Sequence, residues 1–181
     1  MLNEIAQIQN HALCLHDEPA VEAALDAMAT AITAKLADKN PLVLCVINGG
    51  IIATGKLLPR LNFPLMLDSI HASRYRNTTS GKNIHWSFTP TTPLKDRTVL
   101  VVDDILDEGH TLRAIVDYCV EQGAEAVYTA ALLNKQLPDI KPITADFVGL
   151  QVENHYLFGY GMDYKGYLRN AAGVYACKEI L

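Results

Sequence analysis

The chain has 181 residues, half of them hydrophobic, and a formal net charge of −5 at neutral pH. That length suits one domain able to bury roughly 70% of its unfolded surface. The acidic balance, with no Lys/Arg run longer than a pair, argues against nucleic acid or an anionic membrane as the main partner. The N-terminus, Met-Leu-Asn-Glu-Ile-Ala-Gln, lacks a basic region followed by an apolar core, and no stretch approaches the ~18 apolar residues of a membrane span, so a soluble cytoplasmic protein is expected. Cys14, Cys45, Cys119 and Cys177 are far apart, without a C-x-x-C pair or metal-like His spacing, and read as reduced core or surface thiols.

From Pro19 to Leu36 a helix is predicted, with Val21, Ala24, Leu25, Met28, Ile32 and Leu36 on one face. Leu42 to Ile47 reads as a buried strand ending in the turn Asn48-Gly49-Gly50, followed by a short helix over Gly55 to Leu61 and a strand near Leu65 to Ile70. Arg74 to Pro93, rich in Thr, Ser, Asn, Gly and Pro around the alternating Ile84-His85-Trp86-Ser87-Phe88, reads as a long loop with a weak hairpin. A strand at Val99, a helix from Thr111 to about Gly123 and a strand over Ala126 to Leu133 complete a βαβ series, which predicts an α/β fold with a parallel sheet. No internal repeat or low-complexity tract interrupts it.

The most informative segment is Val99-Leu-Val-Val-Asp-Asp-Ile-Leu-Asp-Glu-Gly-His-Thr-Leu112. Its four leading apolar residues predict a strand covered on both faces by helices. Asp103 and Asp104 then arrive where that strand is expected to end, and the carboxyl edge of an open α/β sheet is where ligands bind. Leu112, Ile115, Val116, Cys119 and Val120 form one helical stripe, with Thr111 as the expected N-cap. Gly109 permits a tight turn whose amides, with the positive end of the helix dipole, make an anion cradle. Carboxylates alone would repel an anionic substrate, so Asp103 and Asp104 are expected to face sugar hydroxyls or a hydrated Mg²⁺ while the loop holds a phosphate. Asp107, one turn further on, is free to act as a base.

These residues resemble the phosphoribosyl pyrophosphate motif of the type I phosphoribosyltransferases. Through Leu133-Asn134-Lys135, Asp146-Phe147-Val148-Gly149 and Phe158-Gly159-Tyr160-Gly161-Met162-Asp163-Tyr164, the resemblance extends over nearly the whole chain to the hypoxanthine-guanine phosphoribosyltransferases. It implies the type I phosphoribosyltransferase fold, a parallel twisted sheet flanked by helices, with a flexible active-site loop and a small hood. One domain of residues 1–181 is then expected, with a core at about 18–137, a hood from 1–17 and 138–181, and the loop at about 74–93.

The resemblance also implies transfer of the phosphoribosyl group from phosphoribosyl pyrophosphate to a 6-oxopurine base, with Mg²⁺ as cofactor and assembly as a homodimer or homotetramer. Asp107 matches the general base at purine N7, and Asp103 and Asp104 match the acidic pair at the ribose hydroxyls and metal. Glu108, Gly109, His110 and Thr111 match the loop that takes the 5′-phosphate; Thr is commoner at the Glu108 position and Lys at that of His110. A carboxylate beside a phosphate is unfavourable unless it turns away, and His110 compensates only when protonated. Asn48 and Gly49 match the pyrophosphate loop, where many relatives carry Lys at the Asn48 position. Arg74 and Tyr75 match the motif at the base of the flexible loop, and Arg169 matches an arginine that meets pyrophosphate. In the base pocket Lys135 matches the donor to purine O6, Tyr156 a stacking aromatic, Leu157 its neighbour, and Asp163 an aspartate of the metal and base pocket.

Taken singly, Lys135 is also a plain strand-end lysine, Tyr156 a core tyrosine, Arg169 a solvated arginine, and Gly49-Gly50 a turn. A phosphorylation-receiver module would need a further aspartate ending a later buried strand, whereas Phe147-Val148-Gly149-Leu150 leads to Gln151. A calcium loop fails because Ile105 takes a ligand position and Ala114 stands where the bidentate Glu should be. A xanthine-preferring transferase and a non-catalytic regulator of the same fold stay open, although Asp107, Lys135 and Arg169 together weigh against the regulator.

Overall fold

The apolar run at Val99 becomes the centre of a six-stranded sheet. The computed structural model describes residues 1–74 and 84–178. In chain order they form α1 (Leu2–His11), β1 (Leu13–Asp17), α2 (Glu18–Leu36), β2 (Leu42–Val46), α3 (Gly50–Leu57), β3 (Met66–Arg74), β4 (Ile84–Phe88), β5 (Thr98–Leu106), α4 (His110–Glu121), β6 (Ala126–Lys135), β7 (Phe147–Val152), β8 (Leu157–Phe158) and β9 (Gly173–Ala176). The main sheet has the order β4-β3-β2-β5-β6-β7, parallel throughout except for the antiparallel β3–β4 pair.

Side chains alternate across a strand, so β5 feeds two cores. Leu100 and Val102 pack with Leu25, Met28 and Ile32 of α2 and Ala53 and Leu57 of α3. Val99 and Val101 pack on the other face with Leu112, Ile115 and Cys119 of α4. All four strand residues are buried, each worth roughly 1.5–3 kcal/mol relative to exposure. The α2 stripe is buried as its spacing predicts. On α4 Val120 remains exposed, although its neighbour Cys119 is fully buried. All four cysteines are free thiols.

Four boundaries differ from the sequence expectation, each for a local reason. The helix after the Gly-Gly turn begins at Gly50 rather than Gly55 and yields at Leu58–Arg60 to a 3-10 turn, where Pro59 has no amide to continue the ladder. β5 runs on to Leu106 because β6 keeps pairing with it: Asp103 faces Ala131, Ile105 faces Leu133 and Leu106 faces Asn134. Asp103 and Asp104 therefore lie within the strand, not after it. Lys135 is likewise the last residue of β6, opposite Val152. Finally, residues 147–152, expected in the hood, form the edge strand of the main sheet. The Asp146 carboxylate fixes their entry by accepting from the Thr129 amide at 2.8 Å and the Thr129 hydroxyl at 2.9 Å.

The rest of the hood is a small antiparallel sheet of order β1-β9-β8, with α1 burying only Ile5 and Ile8. A charged cluster ties it to the core. The Glu22 carboxylate of α2 accepts from the Tyr160 hydroxyl at 2.5 Å and the Arg60 guanidinium at 2.6 Å, and pairs with the Lys56 ammonium at 2.8 Å. Led by the Lys56 hydrogen bond, these donors hold the Glu22 carboxyl down at about 2.

Candidate functional site

The sheet grows outward in opposite directions from its centre, through β3 and β4 on one side of β2 and through β6 and β7 on the other side of β5. Because α3 packs on one face and α4 on the other, a crevice opens at the carboxyl ends of β2 and β5, the topological switch point. Pairing between these strands stops at Cys45 and Val102. Asp103 and Asp104 thus project past the last paired residue of β2, beside the turn at Asn48-Gly49.

That turn follows a cis peptide between Ile47 and Asn48, and its backbone lies hard against Asp104. A Cβ on Gly49 would stand 2.2 Å from Asp104 Oδ2, and a Cβ on Gly161 would stand 2.0 Å from the Gly49 carbonyl oxygen. Three segments distant in sequence, the β2 turn, the β5 end and a hood turn, therefore meet with no room for a side chain between them. Asp103 Oδ1 accepts from the Asp104 amide at 2.9 Å, and Asp104 Oδ1 from the Ile105 amide at 2.8 Å. Burial raises both carboxyls; for Asp103 the neighbouring Asp104 charge raises it further, to well above the ordinary carboxylate value. A carboxylate pair so placed favours a cation or hydroxyl donors at its open side.

Asp107 to Gly109 form the turn into α4. Gly109, not Thr111, occupies the N-cap position, at φ +85° and without a side-chain cap. Thr111 sits inside the first turn, because the chain reverses through a left-handed conformation that glycine adopts freely. The Arg113 amide donates to Gly109 oxygen at 2.9 Å, so the amides before it point outward as an anion cradle. Glu108 and His110 are exposed at its rim. The resemblance implies a phosphate at this turn, and on that reading Glu108→Thr is expected to lower the KM for the phosphorylated substrate a few-fold by removing a like charge beside it. An unchanged KM in steady-state assays would mean that the carboxylate points away.

Opposite this turn, Lys135 Nζ donates to Asp107 Oδ2 at 2.9 Å. The lysine side chain is 11% exposed and the aspartate 51%. The pair is open to solvent on the aspartate side, so a ligand can approach both partners from there. Tyr156 is 53% exposed and meets Tyr164 edge-on, with ring centroids 5.6 Å apart. Tyr164 is in turn fixed by a 3.0 Å hydrogen bond from its hydroxyl to Glu4 of α1. Leu157 is buried in β8, next in chain to the open ring.

Asp163 and Arg169 are engaged with each other. Arg169 Nη2 lies 2.6 Å from Asp163 Oδ1, Arg169 Nη1 donates to Gly161 oxygen at 2.5 Å, and Asp163 Oδ2 accepts from the Gly166 amide at 2.7 Å. Among the described residues no three His, Cys, Asp or Glu side chains come together as a metal site; Asp163, for which the resemblance implies a place in the metal and base pocket, is paired here with Arg169. Its partner is the guanidinium, drawn there by the tight hood turn. Arg74 closes β3; of the loop expected at about 74–93, Tyr75 and the residues up to 83 lie outside the described residues, while Ile84–Phe88 forms β4 and pairs antiparallel with β3.

Sequence reasoning missed Lys141, whose ammonium donates at 2.7 Å to both Leu106 oxygen and Asn134 Oδ1. It stands among prolines in Leu137-Pro-Asp-Ile-Lys-Pro142, where no periodicity marks it. It also missed the positions of Glu4 and Tyr164, which only the hood's folding brings together.

A phosphoribosyl transferase domain model matches residues 11–165. A hypoxanthine-guanine phosphoribosyltransferase of Streptococcus pneumoniae is 31% identical over 168 residues, 92% of each chain. A hypoxanthine-guanine-xanthine phosphoribosyltransferase of Tritrichomonas foetus is 30% identical over 166 residues, 91% of each. Among solved structures, a hypoxanthine-guanine-xanthine phosphoribosyltransferase aligns with a TM-score of 0.83 at 28% identity, over 92% of this chain and 97% of that one. The likeness thus runs through both the sheet and the crevice it opens, and the chain belongs to the phosphoribosyl transferase domain family.

Proposed function

We propose that this protein is a purine-salvage enzyme that transfers the 5-phosphoribosyl group from phosphoribosyl pyrophosphate to hypoxanthine or guanine, giving IMP or GMP and pyrophosphate. The observation that carries the proposal is the Lys135–Asp107 pair at adjacent strand ends, 2.9 Å apart. A 6-oxopurine presents a carbonyl acceptor at O6 and an N–H donor at N7 side by side. Lys135 supplies the donor for the first and Asp107 the acceptor for the second. Adenine turns an amino group toward Lys135, leaving donor against donor.

The remaining residues divide the other substrate among them. The amides of Gly109, His110 and Thr111 take the 5′-phosphate, Asp103 and Asp104 the ribose hydroxyls, and Asn48, Gly49 and Arg169 the pyrophosphate end. Tyr156 stacks on the base beside Leu157. As pyrophosphate leaves, positive charge grows at C1′, and the acidic pair offsets it in a site already shielded from water. Asp107 holds the N7 proton as N9 attacks, and no covalent enzyme intermediate is needed.

Asp103 and Asp104 fit a hydrated Mg²⁺, which takes one or two carboxylates and fills its octahedron with water and substrate oxygens rather than a full protein cage. When bound, the ion neutralises the departing diphosphate. Asp163 serves by orienting Arg169. Assembly as a homodimer or homotetramer and a cytoplasmic location belong to the same proposal; among the described residues no helix is long and apolar enough to cross a membrane.

The test is pyrophosphate release with Mg²⁺ and phosphoribosyl pyrophosphate, offering hypoxanthine, guanine, xanthine and adenine separately. Turnover with the 6-oxopurines and none with adenine is expected. Xanthine exceeding the other bases would replace the base preference. Silence with every base despite phosphoribosyl pyrophosphate binding would identify a regulator.

A further inference from the structure

We propose that Lys141 is a positioning residue that sets the spacing between Asp107 and Lys135, and so the fit of the purine edge between them. This rests on the transferase function proposed above and adds to it a residue outside the recognised motifs.

Leu106 is the residue immediately before Asp107, and Asn134 the residue immediately before Lys135. One ammonium donates to both at 2.7 Å, to the backbone oxygen of the first and the side-chain oxygen of the second. Asn134 is held from its other side, where its Nδ2 donates to Gln151 Oε1 of β7 at 2.8 Å. The β5–β6 ladder ends at Leu106 and Asn134, so beyond it no backbone pairing maintains the gap between the two functional side chains. Lys141 bridges the ladder at that last rung.

The segment carrying Lys141 also supports the phosphate turn. A Cβ on Gly109 would stand 3.3 Å from Ile143 and 3.4 Å from Pro142, so Pro142 and Ile143 lie against the turn that Asp107 begins. The Lys141 ammonium is electrostatically in touch with both residues that it positions. Burial lowers its pKa first, Asp107 opposes that shift, and Lys135 adds to it. An apolar side chain at 141 would leave two strand-end oxygens without their shared donor and a carboxylate turn free to drift. A misplacement of about 1 Å is enough to cost on the order of a hundredfold in rate.

The experiment compares Lys141→Met, Lys141→Arg and Asn134→Ala with the unsubstituted chain, alone and with Asp107→Asn, by steady-state pyrophosphate release at saturating phosphoribosyl pyrophosphate. Lys141→Met should lower kcat/KM for hypoxanthine tenfold to a hundredfold. Lys141→Arg, which keeps two donors, should recover most of that loss. Asn134→Ala, which keeps the Leu106 bond, should show a smaller loss in the same direction, and stands in if Lys141→Met does not fold. Because Lys141 acts through Asp107, Lys141→Met in the Asp107→Asn background should change kcat less than threefold. Losses that multiply in full in the double variant, or a Lys141→Met chain within twofold of the unsubstituted one, overturn the proposal. Silence of the unsubstituted chain toward every base overturns the transferase function itself and this role with it.

Discussion

Asp107→Asn is expected to lower kcat by 10² to 10⁴-fold, the range in which a positioned acid or base contributes, while leaving the KM for phosphoribosyl pyrophosphate within about threefold. The amide keeps the shape of the carboxylate but accepts the N7 proton poorly, and it no longer draws Lys135 toward the base. The groups assigned to phosphoribosyl pyrophosphate are untouched, since Asp103 and Asp104 lie inside β5 and the cradle amides belong to α4. Folding should be little affected, because Asp107 is half exposed and asparagine keeps an acceptor oxygen for Lys135. Steady-state kinetics decide the matter: unchanged turnover would remove Asp107 from the chemistry.

Gly161→Ala should cost about 3 kcal/mol of stability, from a positive φ together with a backbone clash, or some 6–12 °C in Tm for a chain of this size. The residue sits at φ +109°. Its new methyl would stand 2.0 Å from Gly49 oxygen and 3.3 Å from Asp104 Cβ, and a backbone carbonyl cannot rotate aside as a flexible side chain could. Relief requires the hood turn to lift from the Asn48-Gly49 turn, which carries away the carbonyl that anchors Arg169. The KM for phosphoribosyl pyrophosphate should therefore rise at least tenfold in the molecules that remain folded. Gly166→Ala separates the two causes. That glycine also has a positive φ, +85°, but nothing lies within 4 Å of its added carbon, so a loss of only ~1 kcal/mol and normal kinetics are expected. Equal losses at both positions would refute the role assigned to close contact.

How far the site could be read in advance follows from where each signal is encoded. Val99 to Val102 followed by Asp103 and Asp104 is a local pattern, and it located the central strand and the acidic pair together. The length of β5 was not local. It is set by β6, which pairs through Leu106, and nothing within residues 99–112 announces that partner. The start of α4 was misplaced by one physical preference overriding another: Thr111 offers a capping oxygen, but the reversal at residue 109 needs a left-handed backbone, and glycine decides it. Asp163 and Arg169 were identified singly, yet their pairing depends on a hood turn containing Gly159, Tyr160 and Gly161, all at positive φ. α1 gave too weak a signal, since only Ile5 and Ile8 are buried along its length.

The Glu22 cluster bears on how base preference can change over evolutionary time. Tyr160 belongs to the hood turn, Lys56 to the helix that starts at the Asn48-Gly49 turn, and Arg60 to the 3-10 turn that follows it, and all three converge on one carboxylate of α2. Under the proposed function, the part assigned to the purine and the part assigned to the sugar phosphate are thereby one mechanical unit. On that reading, substitutions that shift the hood turn also strain the contacts of Glu22 with α3 and the 3-10 turn, so a change of base preference is expected at residues outside this cluster, such as Tyr156 and those around Lys135.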